Sequence, residues 1–177
     1  MADILKQTDK ISYSFKWFSC KTVEELPKNL RVTQVYCWLL STDGKIVLVS
    51  KDGEKWQFPG GHPLPEETDL KETLVREIKE ETSLDVSLMK EKARIFGYYI
   101  VKEFKGDKLV DEYIQSRFYL RLPFNSSQFE LNPEEKETEL EKDKINEAGL
   151  FSLDEACNLI PWLAKTQELE EFRKLIE

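Results

Sequence analysis

The fold is decided by one stretch, GGHPLPEETDLKETLVREIKEETSL, at residues 60–84. Its second half places apolar side chains in one stripe at helical spacing, which predicts an amphipathic helix from Asp69 to about Thr82. Asp69 is suited to cap the free amides, with Glu72 three residues later in capping-box position. The glycines and prolines ahead of Asp69 predict a turn. The stretch therefore reads as a turn followed by a helix with one buried face.

The predicted helix carries three acidic side chains on one side. Glu77, Glu80 and Glu81 stand at positions i, i+3 and i+4, so their carboxylates are neighbours and repel one another by about 0.2–0.5 kcal/mol per pair. A bound divalent cation reverses that penalty, and oxygen-only ligands favour Mg²⁺ or Mn²⁺, which also bridge to phosphates. The pattern predicts a metal site for phosphate chemistry. A solvated acidic face is the alternative.

The residues around these carboxylates suggest complementary roles. Gly60 and Gly61 allow a ligand to approach the backbone closely, although an ordinary turn is the alternative. Arg76 is placed to brace a carboxylate through a bidentate contact. A bound cation would polarise a phosphoryl oxygen and acidify an attacking water, and a spare carboxylate would take the proton.

The rest of the chain alternates strand and helix patterns. Strands are predicted at residues 11–18 (an edge strand), 32–40, 45–50, 55–58, 94–104, 113–122 and 147–151, and further helices starting at Ser152 and running from about 166 to 176. Mixed strands with helices on the faces give an α/β (α+β) sandwich. We expect an N-terminal extension at 1–30 and one domain at 31–177 that includes the C-terminal helices.

Composition narrows the class of function. A length of 177 residues suits one domain. The net charge of −8 argues against a protein that holds long nucleic acids through their phosphates. No apolar run is long enough to cross a bilayer, and the first ten residues lack a secretory pattern, so we expect a cytoplasmic protein without a membrane partner. His62 is the only histidine, which leaves little support for a Ser-His-Asp site.

The combined order of these residues resembles the Nudix box, G-x5-E-x7-R-E-U-x-E-E-x-G-U with U an aliphatic residue. The resemblance implies a Nudix-like α/β/α sandwich with a mixed sheet. It also implies metal-dependent hydrolysis of a pyrophosphate bond in a nucleoside diphosphate linked to another moiety, such as a (deoxy)nucleoside triphosphate or a nucleotide derivative. The catalytic residues would be Glu77, Glu80, Glu81 and Arg76. Mg²⁺ or Mn²⁺ would be held by the same three glutamates and Glu67.

Two positions depart from the box. One additional residue separates Glu67 from Arg76, which leaves open whether Glu66 or Glu67 joins the site. Ser83 stands where the box has glycine, at a position where helices often end in left-handed geometry. These departures motivate a second hypothesis, a catalytically weak Nudix-fold module that binds a nucleotide or regulates. A purely structural protein, with no metal site, is a third.

Candidate residues outside the helix are less specific. We expect Gly60, Gly61, Trp38 and Trp56 to contact a small phosphoanhydride substrate. The aromatic candidates for stacking on a base, with the core as their alternative location, are Tyr36, Trp38, Trp56 and Tyr99. Arg117 and Arg121 are candidates to neutralise phosphate, the alternative being an exposed strand face. The candidate general bases outside the box are Glu137, Glu139 and Glu141. A homodimer is compatible with the sequence.

Overall fold

A mixed β-sheet carries the functional stretch in the computed structural model, which describes residues 10–128, 130–133 and 144–177. Its strands are β1 (Ile11–Ser19), β2 (Val32–Leu40), β3 (Ile46–Ser50), β4 (Trp56–Gln57), β5 (Gly60–Gly61), β6 (Arg94–Lys105), β7 (Lys108–Arg121) and β8 (Glu147–Phe151). The α-helices are α1 (Leu70–Thr82), α2 (Leu153–Leu159) and α3 (Gln167–Ile176). The candidate bases Glu137, Glu139 and Glu141 lie outside the described residues.

The strand order is β1-β6-β7-β2-β3-β4, with β5 paired to β2 and β8 paired to β3. Strands β2 and β7 run parallel, whereas the other pairs are antiparallel. The edge strand predicted at residues 11–18 is present as β1, which lies at one end of this order and pairs with β6. The mixed sheet predicted from the sequence is thereby confirmed.

Helices cover both faces of the sheet because its central strands are apolar on both sides. On β2, Cys37 and Leu39 pack in the same cluster as Leu74 and Ile78 of α1. The intervening Trp38 packs in a second cluster with residues of α2 and α3. Full burial of side chains of this size contributes about 1.5–3 kcal/mol each. The α/β/α sandwich follows, with α1 on one face and the C-terminal helices on the other.

The ends of the helices follow the predicted capping chemistry in part. The Asp69 carboxylate accepts a hydrogen bond from the amide of Lys71, so Asp69 caps α1 as predicted. The Glu72 carboxylate, however, accepts from the amide of Thr68, one residue before the cap, and the predicted reciprocal box is therefore shifted. Ser152 and Glu155 do form a complete capping box at α2. Among the described residues, no helix is both long and apolar enough to span a membrane.

Candidate active site

The short strand β5 brings the backbone against the acidic face of α1. Gly60 and Gly61 pair with Tyr36 and Val35 of β2. Gly60 has φ +149°, and a Cβ atom there would lie 2.1 Å from the carbonyl oxygen of Val35. A Cβ atom on Gly61 would lie 2.3 Å from Oε1 of Glu77. Gly60 is therefore required by the close approach of backbone, whereas a side chain at position 61 would displace the Glu77 carboxylate.

The glycine strand also binds the helix directly. The amide of Gly60 donates to Oε2 of Glu81 at 2.8 Å. Glu77 and Glu81 are both buried, while Glu80 is more exposed. The packing of β5 on α1 therefore holds Glu77 and Glu81, two of the predicted metal ligands, in one compact arrangement.

Arg76 connects the loop before α1 with the carboxylates on it. Its Nε donates to Glu67 at 2.7 Å. Its Nη1 donates to Glu77 at 2.7 Å and to Glu80 at 3.1 Å, and its Nη2 donates to the carbonyl of His62 at 2.9 Å. Burial alone would lower the pKa of Arg76, but the bonds to Glu67 and Glu77 raise it above its ordinary value. Arg76 thus remains charged and neutralises part of the acidic face.

Glu67 clamps the loop to the helix. Besides Arg76, its carboxylate accepts from the hydroxyl of Thr73 at 2.6 Å and from the amide of Leu64 at 2.8 Å. Burial would raise the pKa of Glu67, but these hydrogen bonds and the positive charge of Arg76 lower it to about 2. Glu66 is exposed. The additional residue before Arg76 therefore does not keep Glu67 from the helix, and the geometry gives Glu67 a role in anchoring the loop.

The three helical glutamates have the donor chemistry of a site for a hard cation. All three offer only carboxylate oxygens from one helix, which fits Mg²⁺ or Mn²⁺ in type. In the part of the chain that the structure describes, no three acidic, histidine or cysteine side chains are gathered in metal-binding geometry. Carboxylate oxygens of Glu77, Glu80 and Glu81 are instead directed to Arg76 and the Gly60 amide. Metal binding would need these side chains to turn towards the ion.

The C-terminal end of α1 adopts the predicted left-handed geometry. Ser83 has φ +63°, and its amide donates to the carbonyl of Lys79. Its hydroxyl also donates to the carbonyl of Asn132. A residue with a Cβ atom is strained in this conformation, by roughly 1–2 kcal/mol. The serine therefore keeps the glycine-like turn at an energetic cost and is braced by a segment distant in sequence.

A cavity of about 660 Å³ lies beside the glycine strand. Its lining is mostly aromatic, with a few amide, hydroxyl and guanidinium groups: Phe15, Tyr36, Trp56, Gln57, Phe58, Tyr99, Gln115, Arg117, Trp162 and Thr166. Phe58 precedes Gly60 by two residues. Tyr36 is paired with Gly60, and the charges of Glu81 and Glu77 contribute to raising its pKa, after burial as the main cause. The cavity and the acidic helix are therefore adjacent, separated by the strip from Phe58 to Gly61.

A second cavity, of about 640 Å³, lies at the other end of α1. It contacts the helix at Leu70, Lys71 and Thr73 and includes Glu67. Thr73 is one helical turn before Glu77, at a rise of about 1.5 Å per residue. We place the candidate substrate site in the aromatic cavity because its rings offer flat surfaces on which a base can stack.

The two tryptophans that were expected to contact the substrate, Trp38 and Trp56, have different locations. Trp56 lines the cavity. Trp38 is 0% exposed; it stacks on Phe58 and contacts the tilted ring of Phe172, with ring centroids 4.1 and 4.0 Å away. Since no surface of Trp38 is open to a ligand, the expectation that it contacts substrate does not fit its location, and the core alternative describes it. Trp162, which the sequence did not single out, lines the cavity and is partly exposed.

Arg117 is buried, whereas the sequence suggested an exposed strand face as its alternative location. It is 5% exposed, and its Nε donates to Glu168 of α3 at 3.0 Å. The polar side of β7 is covered by α3 at this point, which excludes water and supplies the opposite charge. Arg121, two strand repeats further on, is exposed and donates to the carbonyl of Leu175. The interpretation of an exposed strand face is therefore wrong for Arg117 and holds for Arg121.

Comparison with known proteins identifies the class. A family model for the NUDIX domain matches residues 30–172, most of the chain. The chain belongs to the Nudix family, and the class of enzyme predicted from the sequence, a Nudix pyrophosphohydrolase, is supported by this membership. A search of curated proteins found no match.

Solved structures share the fold at low identity. A pyrophosphohydrolase from Bacillus subtilis superposes with a TM-score of 0.52 and 17% identity, over 89% of this chain and 90% of that chain. A NUDIX hydrolase from Nitrosomonas europaea has a TM-score of 0.49 and 19% identity, over 81% and 89%. An ADP-ribose pyrophosphatase from Streptococcus suis has a TM-score of 0.43 and 18% identity, over 76% and 92%. At 17% identity, the likeness to the Bacillus subtilis protein concerns the fold alone.

Proposed function

We propose that this protein hydrolyses a pyrophosphate bond in a nucleoside diphosphate linked to another moiety, with a (deoxy)nucleoside triphosphate or a nucleotide derivative as substrate and Mg²⁺ or Mn²⁺ as cofactor. The observation that carries the proposal is the packing of the glycine strand. Gly60 binds Glu81, Gly61 packs on Glu77, and Phe58 of the same strip lines the aromatic cavity. In this proposal the base of the nucleotide lies in the cavity and its phosphates reach the acidic helix past the glycine strand.

The residues divide into a binding part and a hydrolytic part. Glu77, Glu80 and Glu81 would hold the metal ion, which when bound supplies charge neutralisation of the phosphates and a more acidic water. A glutamate that is not engaged with the ion would accept the proton of the attacking water. Arg76 positions Glu77 and Glu80 through its hydrogen bonds.

The turn before the helix supports this arrangement. The absence of side chains at Gly60 and Gly61 lets this strand pack against the backbone of Val35 and the carboxylate of Glu77, which holds the acidic face in place. Glu67 holds the loop in place through Arg76, and in this proposal it serves as an anchor, with direct metal ligation left as a prediction. Trp56 and Trp162 are the aromatic candidates for contact with the base.

A panel of nucleotides tests the proposal. The protein is incubated with nucleoside triphosphates, nucleotide sugars and dinucleoside polyphosphates, with Mg²⁺, with Mn²⁺ or with a chelator, and the products are separated by chromatography. We expect a nucleoside monophosphate as one product, formed only with the metal. If no compound in the panel yields a metal-dependent product, the proposed activity is refuted.

A nucleotide-binding or regulatory module without turnover is the second candidate. The observation that favours it is the direction of the carboxylates, since Arg76 binds Glu77 and Glu80 and the described residues show no gathered metal site. The same panel separates the two functions when it is paired with calorimetry. Nucleotide binding without any product supports the module, whereas turnover excludes it.

A further inference from the structure

Arg117 is held in a fixed orientation in the wall of the aromatic cavity. Its guanidinium carbon lies 4.6 Å from the ring centroid of Tyr36 and 5.2 Å from that of Tyr99. Its Nε donates to Glu168, and its Nη1 donates to the carbonyl of Ser116 at 3.2 Å. Ring contacts and hydrogen bonds together fix the plane of the guanidinium, so little side-chain freedom is lost when a ligand binds it.

Glu168 is the group that holds Arg117 from the other side. It is 0% exposed, and its Oε1 accepts from Trp38 Nε1 at 2.9 Å as well as from Arg117. Its Oε2 has no hydrogen-bond partner among the described residues, although the carboxylate contributes, after burial, to raising the pKa of the nearby Tyr99. A buried ion pair contributes little to the stability of the fold, because the cost of desolvating the two charges offsets their attraction. The pair is better explained by what it does for Arg117, whose guanidinium it holds in the wall of the cavity.

The donors that remain on Arg117 define what the cavity can recognise. A guanidinium has five N–H groups, and the contacts to Glu168 and Ser116 use two of them. Arg117 lines the cavity beside a mostly aromatic wall, where a planar base fits. The commonest specific contact of arginine with a base is a bidentate pair with the O6 and N7 acceptors of a purine. Adenine carries an amino donor at the corresponding position and does not match a donor-only group.

We propose that Arg117, positioned by Glu168, is a specificity-determining residue that selects 6-oxopurine bases, guanine and hypoxanthine, in the aromatic cavity. This inference rests on the proposed function for its choice of a nucleotide ligand. The two remain separable, because nucleoside monophosphates have no pyrophosphate bond to hydrolyse. Their binding is measurable whether or not the protein turns over any substrate.

The test is calorimetric binding of GMP, IMP, AMP and the N7-deleted analogue 7-deaza-GMP in metal-free buffer, supported by quenching of tryptophan fluorescence. We expect GMP and IMP to bind the wild-type protein about tenfold more tightly than AMP, since a bidentate contact typically discriminates by about this factor or more. 7-deaza-GMP should lose most of that advantage. Equal binding of all four, or no measurable binding of any of them, overturns the inference without requiring a variant.

Variants assign the effect to Arg117. Arg117→Lys keeps the charge beside Glu168 but removes the planar pair of donors, and it should reduce the preference for GMP over AMP to about twofold or less. The matched control is Arg121→Lys, on the same strand but with its guanidinium on the surface, and it should keep the wild-type preference. An unchanged preference in Arg117→Lys refutes the assignment. Equal weakening of GMP, AMP and ribose 5-phosphate would show that Arg117 binds phosphate, which also overturns it.

Discussion

The hydrogen bonds and the ion pair of Glu67 lead to a prediction about the stability of the protein in acid. Replacing Glu67 by Gln should lower the free energy of unfolding near neutral pH by about 3 kcal/mol. The value follows from the pKa of Glu67, which falls from its ordinary 4.5 to about 2 in the folded protein, since each pKa unit corresponds to about 1.4 kcal/mol. The side chain is only 10% exposed, so screening by solvent is limited.

The same shift fixes the direction of the pH dependence. Because the pKa is lower in the folded state, the unfolded chain binds the extra proton between about pH 4.5 and pH 2. The stabilisation by Glu67 is thus fully present above pH 4.5 and is lost as the pH falls towards 2. The difference in stability between the wild type and Glu67→Gln should shrink over that range.

Urea unfolding followed by circular dichroism measures this difference at several pH values. Glu66→Gln is the matched control, since it makes the same change at the neighbouring exposed position and should stay within about 0.5 kcal/mol of the wild type. The reasoning is refuted if the free energy of unfolding of Glu67→Gln differs from that of the wild type by the same amount at every pH. It is equally refuted if Glu66→Gln loses as much stability.

Three other substitutions at the ends of the functional stretch have different expected effects. Ser83→Gly should raise the free energy of unfolding by about 0.5–1 kcal/mol, because glycine adopts the φ of +63° without strain, and a lower value than that of the wild type in urea unfolding would contradict this. Gly61→Ala should fold, since the obstructing atom is the end of the flexible Glu77 side chain. It should lose most nucleotide hydrolysis, because the added methyl group displaces that carboxylate. Hydrolysis at the wild-type rate would count against the proposed site. Gly60→Ala should lower the thermal unfolding temperature markedly, because its Cβ meets the backbone of Val35, and an unchanged temperature would refute the packing argument.

Patterns of residues close in sequence were enough to predict the helix α1 and its acidic side. The apolar stripe and Asp69 placed α1 correctly, and the spacing of Glu77, Glu80 and Glu81 placed their carboxylates on one helix. These features depend on residues close in sequence, which is why periodicity and capping rules describe them. The left-handed turn at Ser83 was likewise predictable from the position of glycine in the box.

The features that sequence reasoning missed depend on distant contacts. Arg117 is buried because Glu168, fifty-one residues later, covers it, and the alternation within β7 contains no sign of that helix. Trp38 is in the core because Phe58 and Phe172 enclose it from two other elements. The aromatic cavity likewise combines side chains from several strands and the segment after α2, so its composition depends on the tertiary fold.

The central claim is that the carboxylates of α1 carry out metal-dependent hydrolysis. The most direct measurement is kcat for the best substrate of the nucleotide panel, with Mg²⁺, in the wild type, Glu80→Gln and Glu72→Gln. Glu80 is the most exposed of the three predicted ligands on α1, and Glu72 lies on the same helix away from them, so both variants should fold. We predict a loss of about a hundredfold or more for Glu80→Gln and a change of less than about threefold for Glu72→Gln. A Glu80→Gln enzyme as active as the wild type would contradict the account.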